Sequence, residues 1–186
     1  MGIFKTDNEQ NILSMFRRDE SAATELLYKE YAPYLTGLCA RYIADDDALK
    51  DVLQEAFIKI YRSIGKFRYK GKGSLKAWVS RIAVNECLQY LRKEKKGPSP
   101  LPDDVADLVP EEEPSVEGLD YKTIVSLIRK LPEGYRAVFN LYAIEGKSHK
   151  EIAELLHIKE DSSASQYHRA KNMLARMISK MKEYER

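Results

Sequence analysis

An acidic, proline-rich segment divides this sequence into two parts. Residues 97–120 contain eight acidic residues, five of the seven prolines in the chain, and no Lys or Arg. Proline lacks a backbone N–H and clustered like charges resist burial, so this composition argues against a packed core. We therefore predict a flexible acidic linker over residues 97–120 that joins two separately folded domains, residues 1–96 and residues 121–186.

Charge is distributed unevenly around this linker. The formal net charge of the chain is +2, so setting aside the eight negative charges of the linker leaves +10 for the rest. Between Arg68 and Lys96, nine basic residues stand against only Glu86 and Glu94, a local net charge of +7. Such an asymmetry indicates a polyanionic partner for the basic parts.

Apolar residues on both sides of the linker recur at helical spacing. No convincing strand-like alternation appears, so we predict an all-α fold of two small helical domains, an N-terminal helical bundle and a C-terminal domain. The predicted helices span residues 22–42, 47–63, 74–95, 135–144, 148–156 and 162–181, with another from about residue 124 that stops before Pro132. In the helix over 74–95 the expected buried stripe comprises Leu75, Trp78, Val79, Ile82, Leu88 and Leu91.

The segment SHKEIAELLHIKEDSSASQYHRAKNML has the layout of a helix-turn-helix. Ala153 is small where two helices would cross, His157 sits where a positive φ is often needed, and Ser162 is a candidate N-cap for the second helix. An ordinary helical hairpin with a solvated polar face is the alternative. The side chains expected on the exposed face of the second helix are Ser163, Ser165, Gln166, His168, Arg169 and Lys171.

Several other classes of protein find no support in the sequence. Cys39 and Cys87 are the only cysteines and have neither a CxxC spacing nor nearby histidines, so we expect buried thiols and no metal site. No nucleophile elbow, phosphate-binding glycine loop or HExxH motif appears, so we expect neither catalysis nor a cofactor. The N-terminus lacks a secretory signal and there is no long apolar run, so we expect a cytoplasmic chain without membrane insertion.

Three segments, in order along the chain, resemble segments of bacterial sigma factors. They are DDALKDVLQEAFIKIY, then Phe67 through GSLKAWVSRIAVNECLQYLRKEKK, then LPEGYRAVFNLYAIEGKSHKEIAELL with the helix that follows it. The chain thus resembles an alternative sigma factor of the sigma-70 family, extracytoplasmic-function type. The resemblance runs from about Phe16 to Ile178 and leaves only the linker unmatched.

The resemblance implies roles for two parts of the N-terminal domain. Asp51, Gln54 and Glu55, otherwise a solvated polar face, would dock on core RNA polymerase. Asn85, expected near the buried stripe, would join Phe67 and the glycine-rich loop in a pocket for a base flipped from the opening strand, while Trp78 is assigned to the core. The residues implied in minus-ten recognition and melting are Phe67, Arg68, Lys76, Arg81, Asn85, Arg92 and Lys93.

The resemblance also implies that the C-terminal helix-turn-helix reads the minus-thirty-five element. Many relatives carry a Gly-Thr pair and basic residues where this chain has Asp161, Ser162, Ala164 and Gln166, so the assignment of individual bases stays open. The residues implied in this contact are Ser162, Ser163, Ser165, Gln166, His168, Arg169 and Lys171.

The expected function is therefore promoter-specific initiation of transcription. The resemblance implies core RNA polymerase, promoter DNA in double- and single-stranded form, and an anti-sigma factor as partners. It also implies that the linker threads the template or transcript path of polymerase, whereas its composition alone requires only a spacer. Two other functions stay open at this point: a stand-alone helix-turn-helix regulator of duplex operators, and a sigma-like protein that mainly binds an antagonist.

Overall fold

The structure, a computed structural model, describes residues 8–94 and 118–184 of the chain. The helices are α1 (Asn8–Met15), α2 (Glu20–Ala40), α3 (Asp46–Ser63), α4 (Ser74–Glu94), α5 (Tyr121–Arg129), α6 (Glu133–Phe139), α7 (His149–Leu156) and α8 (Glu160–Tyr184). No strand occurs among these described residues, which confirms the all-α prediction. Most of the predicted linker, residues 97–117, lies outside the described residues.

The described residues form two compact units. The first comprises residues 8–39 and 45–87, and the second comprises residues 40–44, 88–94 and 118–184. None of the described helices is both long enough and apolar enough to cross a membrane.

In the first unit, α3 forms where the sequence predicts it. The carboxylate of Asp45 caps this helix by accepting the backbone N–H groups of Asp47 and Ala48 at 3.1 and 2.8 Å. The apolar stripe of α3 is buried, with Ala56 and Ile60 fully inaccessible to solvent. Charged groups also join α3 to α4, because Lys59 Nζ lies 2.6 and 2.7 Å from the two carboxylate oxygens of Glu86.

Both cysteines of the first unit are buried and carry free thiols, as predicted. A hydrogen bond with Cys39, together with burial, raises the pKa of the Cys87 thiol well above its usual value. Thiolates rather than thiols react as nucleophiles, so this environment keeps Cys87 unreactive.

The second unit has one core shared by α5, α6 and α8. Asp120 caps α5 by accepting the backbone N–H of Thr123 at 2.7 Å, and a short π-helical turn over Asn140–Ile144 continues α6. The guanidinium of Arg136 closes the turn between α5 and α6 by donating to the carbonyl oxygens of Arg129 and Leu131. The buried core residues are Leu127, Ile128, Leu131, Tyr135, Ala170, Leu174 and Ile178.

The turn between α7 and α8 takes the conformation expected of a helix-turn-helix. His157 has φ 54° and ψ 49°, which confirms the predicted positive φ, and the Ile158 N–H closes the helix end on the Ala153 carbonyl at 3.1 Å. The prediction of Ser162 as N-cap is wrong. The helix α8 begins at Glu160, because the Lys159 carbonyl already accepts the Ser163 N–H at 3.1 Å.

Candidate nucleic-acid interface

The predicted docking face lies on the solvent side of α3. Asp51, Gln54 and Glu55 are all exposed and lie within about one helical turn, and Val52 and Ala56 on the other side of the helix are buried. Within the part of the chain that the structure describes, none of these three side chains forms a hydrogen bond or ion pair. The face therefore carries two carboxylates and one amide that are open to a partner.

An open pocket with a volume of about 510 Å³ lies between the loop after α3 and the start of α4. The rings of Phe67 and Trp78 meet in this pocket, with their centroids 5.0 Å apart. Four of the lining residues are cationic and none is acidic, so the pocket pairs aromatic faces with positive charge. The lining residues are Lys66, Phe67, Arg68, Lys70, Ser74, Ala77, Trp78 and Arg81.

Two glycines and a serine shape the loop beside this pocket. Gly71 and Gly73 have φ values of +115° and +87°, in the left-handed region that side chains with a Cβ rarely adopt. The Ser74 hydroxyl accepts the backbone N–H of Lys70 at 3.2 Å, and the Ser74 N–H donates to the Gly71 carbonyl at 3.1 Å. These bonds fold the basic loop back onto the first turn of α4.

The assignment of Trp78 to the core is wrong. The indole is only half-buried and lines the pocket, because the buried stripe of α4 passes through Leu75, Val79 and Ala83 instead. Trp78 comes three residues after Leu75 and is therefore rotated about 300° around the helix, or about 60° to one side of Leu75. This rotation leaves Trp78 at the edge of that stripe.

Asn85 is exposed, so its expected place near the buried stripe is also wrong. Asn85 comes two residues after Ala83 and two residues before Cys87, which are both fully buried. Two residues correspond to a rotation of about 200°, so Asn85 lies on the opposite side of the helix from both. Asn85 instead follows Trp78 and Arg81 at helical spacing, on the face that the pocket occupies. The amide is therefore accessible to a ligand that extends along α4 from the pocket.

The other predicted minus-ten residues lie at different places on α4. Lys76 is exposed, and its ammonium group lies 4.3 Å from the centre of the Tyr34 ring. Arg92 and Lys93 are exposed in the last turn of the helix. Of the predicted set, the structure brings together Phe67, Arg68 and Arg81 in the pocket.

Three of the predicted duplex-reading residues are exposed on α8. Ser165, His168 and Lys171 are accessible to solvent and follow one another at helical spacing, as do Asp161 and Ala164 on the same face. His168 is held by a contact of 3.2 Å between its Nε2 and Nδ2 of Asn172. The exposed face thus combines two polar side chains and one ammonium group with a carboxylate and a methyl group.

The predicted exposure of Ser163 is wrong. This side chain is fully buried, and its hydroxyl lies 2.9 Å from Nδ1 of His149, which ties α8 to the first turn of α7. Position 163 falls about one turn before Tyr167 and two turns before Ala170, on the side of α8 that packs inward.

Three further members of the predicted set are half-buried. Ser162 lies in the first turn of α8, and Gln166 packs against Gly134, where an added Cβ would come within 3.0 Å of the Gln166 Oε1. The Arg169 guanidinium lies 3.3 Å from the Tyr135 hydroxyl, which directs the group toward α6.

Lys66, Lys70 and Ser74 also line the pocket, and all three belong to the glycine-rich loop that the resemblance places there. Lys66 and Ser74 are not identified individually from the sequence. Glu9 is a further omission, since its carboxylate contacts the backbone of the same loop and no local pattern marks it.

Comparison with known proteins identifies both parts of the chain. Residues 27–97 match the model of sigma-70 region 2, and residues 121–174 match the model of sigma-70 region 4. Together these two matches cover more than half of the chain and leave out most of the acidic segment between them.

Complete sigma factors are similar to this chain over nearly their whole length. The ECF RNA polymerase sigma-E factor of Haemophilus influenzae is 30% identical, covering 91% of this chain and 95% of that protein. The RNA polymerase sigma-H factor of Pseudomonas aeruginosa is 27% identical, covering 92% of this chain and 94% of that protein. The ECF RNA polymerase sigma-E factor of Escherichia coli K12 is 29% identical, covering 89% of this chain and 92% of that protein. The chain belongs to the sigma-70 family of RNA polymerase sigma factors, in its extracytoplasmic-function subfamily.

Proposed function

We propose that this chain binds bacterial core RNA polymerase and directs it to promoters. Residues 1–96 dock on polymerase and open the minus-ten region, residues 121–186 read the minus-thirty-five element, and residues 97–120 join them. RNA synthesis itself belongs to polymerase, so this chain needs no catalytic residue and no cofactor. Because polymerase acts in the cytoplasm, we expect the chain there.

The observation that carries this proposal is the aromatic, cationic pocket of the first unit. Single-stranded nucleic acid is bound by aromatic rings that stack on bases and by cations that track phosphates, with stacking worth roughly 1–3 kcal/mol per base. Phe67 and Trp78 supply the rings, and Arg68 and Arg81 supply charge beside them. A protein that binds only duplex operators has no use for such a pocket.

The polar face of α3 supports the polymerase part of the proposal. Asp51, Gln54 and Glu55 are exposed, whereas the opposite side of α3 is committed to the core of the first unit. A basic surface on polymerase would complement the two carboxylates, and such pairs mainly give specificity and rapid association.

The exposed face of α8 supports the duplex-reading part. Ser165, His168 and Lys171 carry side chains that donate or accept hydrogen bonds at base edges and phosphates. The inward positions of Ser163 and Arg169 remove those two residues from the set that we propose to read bases.

Run-off transcription tests the proposal directly. Purified core polymerase and genomic fragments are incubated with and without the full chain, and we expect discrete transcripts only when the chain is present. These transcripts also locate the promoter. A folded chain that retards duplex fragments equally without polymerase and yields no transcript would instead be a stand-alone regulator.

We also propose an anti-sigma factor as a partner, because a protein that redirects polymerase requires restraint until its promoters are needed. Capture of an antagonist would compete with polymerase for the polar face of α3. Addition of core polymerase to an antagonist-bound chain then displaces the antagonist, and a ternary complex on gel filtration would contradict this shared surface.

A further inference from the structure

Glu9 in α1 is a carboxylate that is only 7% exposed. Its Oε2 accepts the backbone N–H groups of Gly73 and Leu75 at 3.0 and 3.2 Å, and its Oε1 accepts that of Lys76 at 3.0 Å. The Tyr31 hydroxyl also donates to Oε1 at 3.3 Å. One carboxylate from the first helix therefore caps a helix that begins some 65 residues later in the chain.

This cap fixes the first turn of α4. The first N–H groups of an α-helix have no partner within the helix, and an anionic acceptor placed there is favoured by the helix dipole. Hydrogen bonds to a charged acceptor are about twice as strong as those between neutral groups. Glu9 accepts the N–H group of Gly73, before Ser74, and those of Leu75 and Lys76, after it. It therefore determines both where α4 starts and how that turn is oriented.

The first turns of α4 form one wall of the aromatic pocket. Ser74, Ala77 and Trp78 line the pocket from this helix, and the Ser74 hydroxyl holds the loop through the Lys70 N–H. Phe67 reaches the pocket from the other side, on the loop after α3. A shift of the turn that Glu9 caps would move Trp78 relative to Phe67.

We propose that Glu9 is a positioning residue for the single-stranded DNA pocket. By fixing Gly73 and the first turn of α4, it sets the placement of Trp78 against Phe67 that receives an unpaired base. This inference rests on the proposed function, since the ligand is the base exposed when the promoter opens. Glu9 itself does not touch the DNA.

A comparison of two buried carboxylates separates positioning from stability alone. Glu9→Gln keeps the size of the side chain but removes its charge and one acceptor. Glu86→Gln makes the same change at a carboxylate that is 8% exposed and joins α4 to Lys59 on α3. Both variants are expected to unfold at a lower temperature than wild type.

The measurement uses the full chain at a temperature where all three proteins are folded. Single strands of roughly twelve nucleotides, each a homopolymer of one base, are titrated while the emission of Trp78 is followed. Trp78 is the only tryptophan in the chain, so its emission reports on the pocket. We expect binding to change the emission of wild type and of Glu86→Gln, and the two to bind with similar affinity. The affinity of Glu9→Gln should be about tenfold lower.

Four outcomes overturn parts of this account, and they differ from one another. Wild-type affinity in Glu9→Gln overturns the inference, and so does an equal loss in both variants, because either shows that Glu9 acts on stability alone. An unchanged Trp78 emission in wild type with every strand overturns the pocket function itself. If Glu9→Gln does not fold, Tyr31→Phe removes one donor to the same carboxylate and is expected to show a smaller loss, whereas no loss overturns the inference.

Discussion

The rings of Phe67 and Trp78 lie with their centroids 5.0 Å apart and their planes inclined by 44°. Phe67 belongs to the loop after α3, whereas Trp78 belongs to α4, so the contact joins two elements that meet only through the fold of the first unit. Both rings are half-buried, which leaves part of each aromatic surface open in the pocket.

Substitution of Phe67 by Leu is expected to weaken single-strand binding. Leucine keeps an apolar side chain but cannot stack on a base. The binding free energy should therefore become weaker by about 1–3 kcal/mol. Titration of the full chain with single strands, followed by anisotropy of a labelled strand, measures this loss. The control is Phe57→Leu, which alters a buried ring whose centroid lies 4.9 Å from that of the Tyr28 ring. This substitution is expected to lower stability but to leave single-strand affinity unchanged. Equal affinities of Phe67→Leu and wild type would exclude stacking by this ring.

Charge reversal on α3 is expected to abolish binding to core polymerase. In Asp51→Lys with Glu55→Lys, two exposed carboxylates become ammonium groups that repel a basic partner. Both positions are solvated, so helical circular dichroism and the unfolding midpoint should stay close to those of wild type. Co-purification with tagged core polymerase measures the effect.

The control for charge reversal is Glu30→Lys, which makes the same kind of change at an exposed residue of α2. It should retain polymerase binding. Undiminished co-purification of the double α3 variant would refute the docking face.

Removal of the Ser163 hydroxyl is expected to affect stability rather than DNA reading. Ser163→Ala leaves the Nδ1 atom of His149 without its partner at 2.9 Å, which should lower the free energy of unfolding by about 1 kcal/mol. His168→Ala, on the exposed face of α8, should instead weaken duplex binding with little change in stability. Urea unfolding and duplex titrations on both variants test the contrast, and a change of preferred promoter sequence in Ser163→Ala would contradict it.

Acid is expected to remove the contribution of the capping box of α7. Hydrogen bonds with the backbone and hydroxyl of Ser148, followed by one from Lys147, lower the pKa of Glu151 from 4.5 to about 2. A carboxyl group whose pKa is lowered on folding stabilises the fold above its unfolded pKa, and that contribution is lost as the pH falls through its folded pKa. The stabilisation should therefore be complete above about pH 4.5 and vanish near pH 2.

Glu151→Gln tests this dependence on pH. Its unfolding midpoint should lie below that of wild type near neutral pH, and the two midpoints should converge as the pH approaches 2. Glu154→Gln, at an exposed position of the same helix, serves as the matched control. A difference between Glu151→Gln and wild type that stays constant across this range would rule out the capping carboxylate as its source.

Most of the fold follows from local patterns in the sequence. The predicted helix over 47–63 is α3 to within one residue, because its apolar residues repeat at helical spacing and Asp45 supplies an N-cap. The turn at His157 is likewise predictable from the types of residue around it. In each case a short stretch of sequence contains the interactions that decide the structure.

The predictions are wrong where residues that are distant in the sequence determine the local structure. The sequence pattern does not predict α1, because its eight residues bury only Glu9 and Ile12, and Glu9 finds its partners on α4. Ser163 is predicted to be exposed because its partner His149 lies on another helix. Asn85 and Trp78 are misplaced because several faces of α4 carry apolar residues, so the spacing alone does not identify the face that packs inward.

The Glu9 cap has a consequence for how the first unit opens. The amide protons of Gly73, Leu75 and Lys76 point at a carboxylate on another helix, so they can exchange with solvent only when α1 detaches or the turn itself unwinds. The hydrogen-exchange rates of these three amides therefore report on the docking of α1, although α1 is distant from them in the sequence. In Glu9→Gln these three amides should exchange faster as a group, ahead of the amides in the middle of α4.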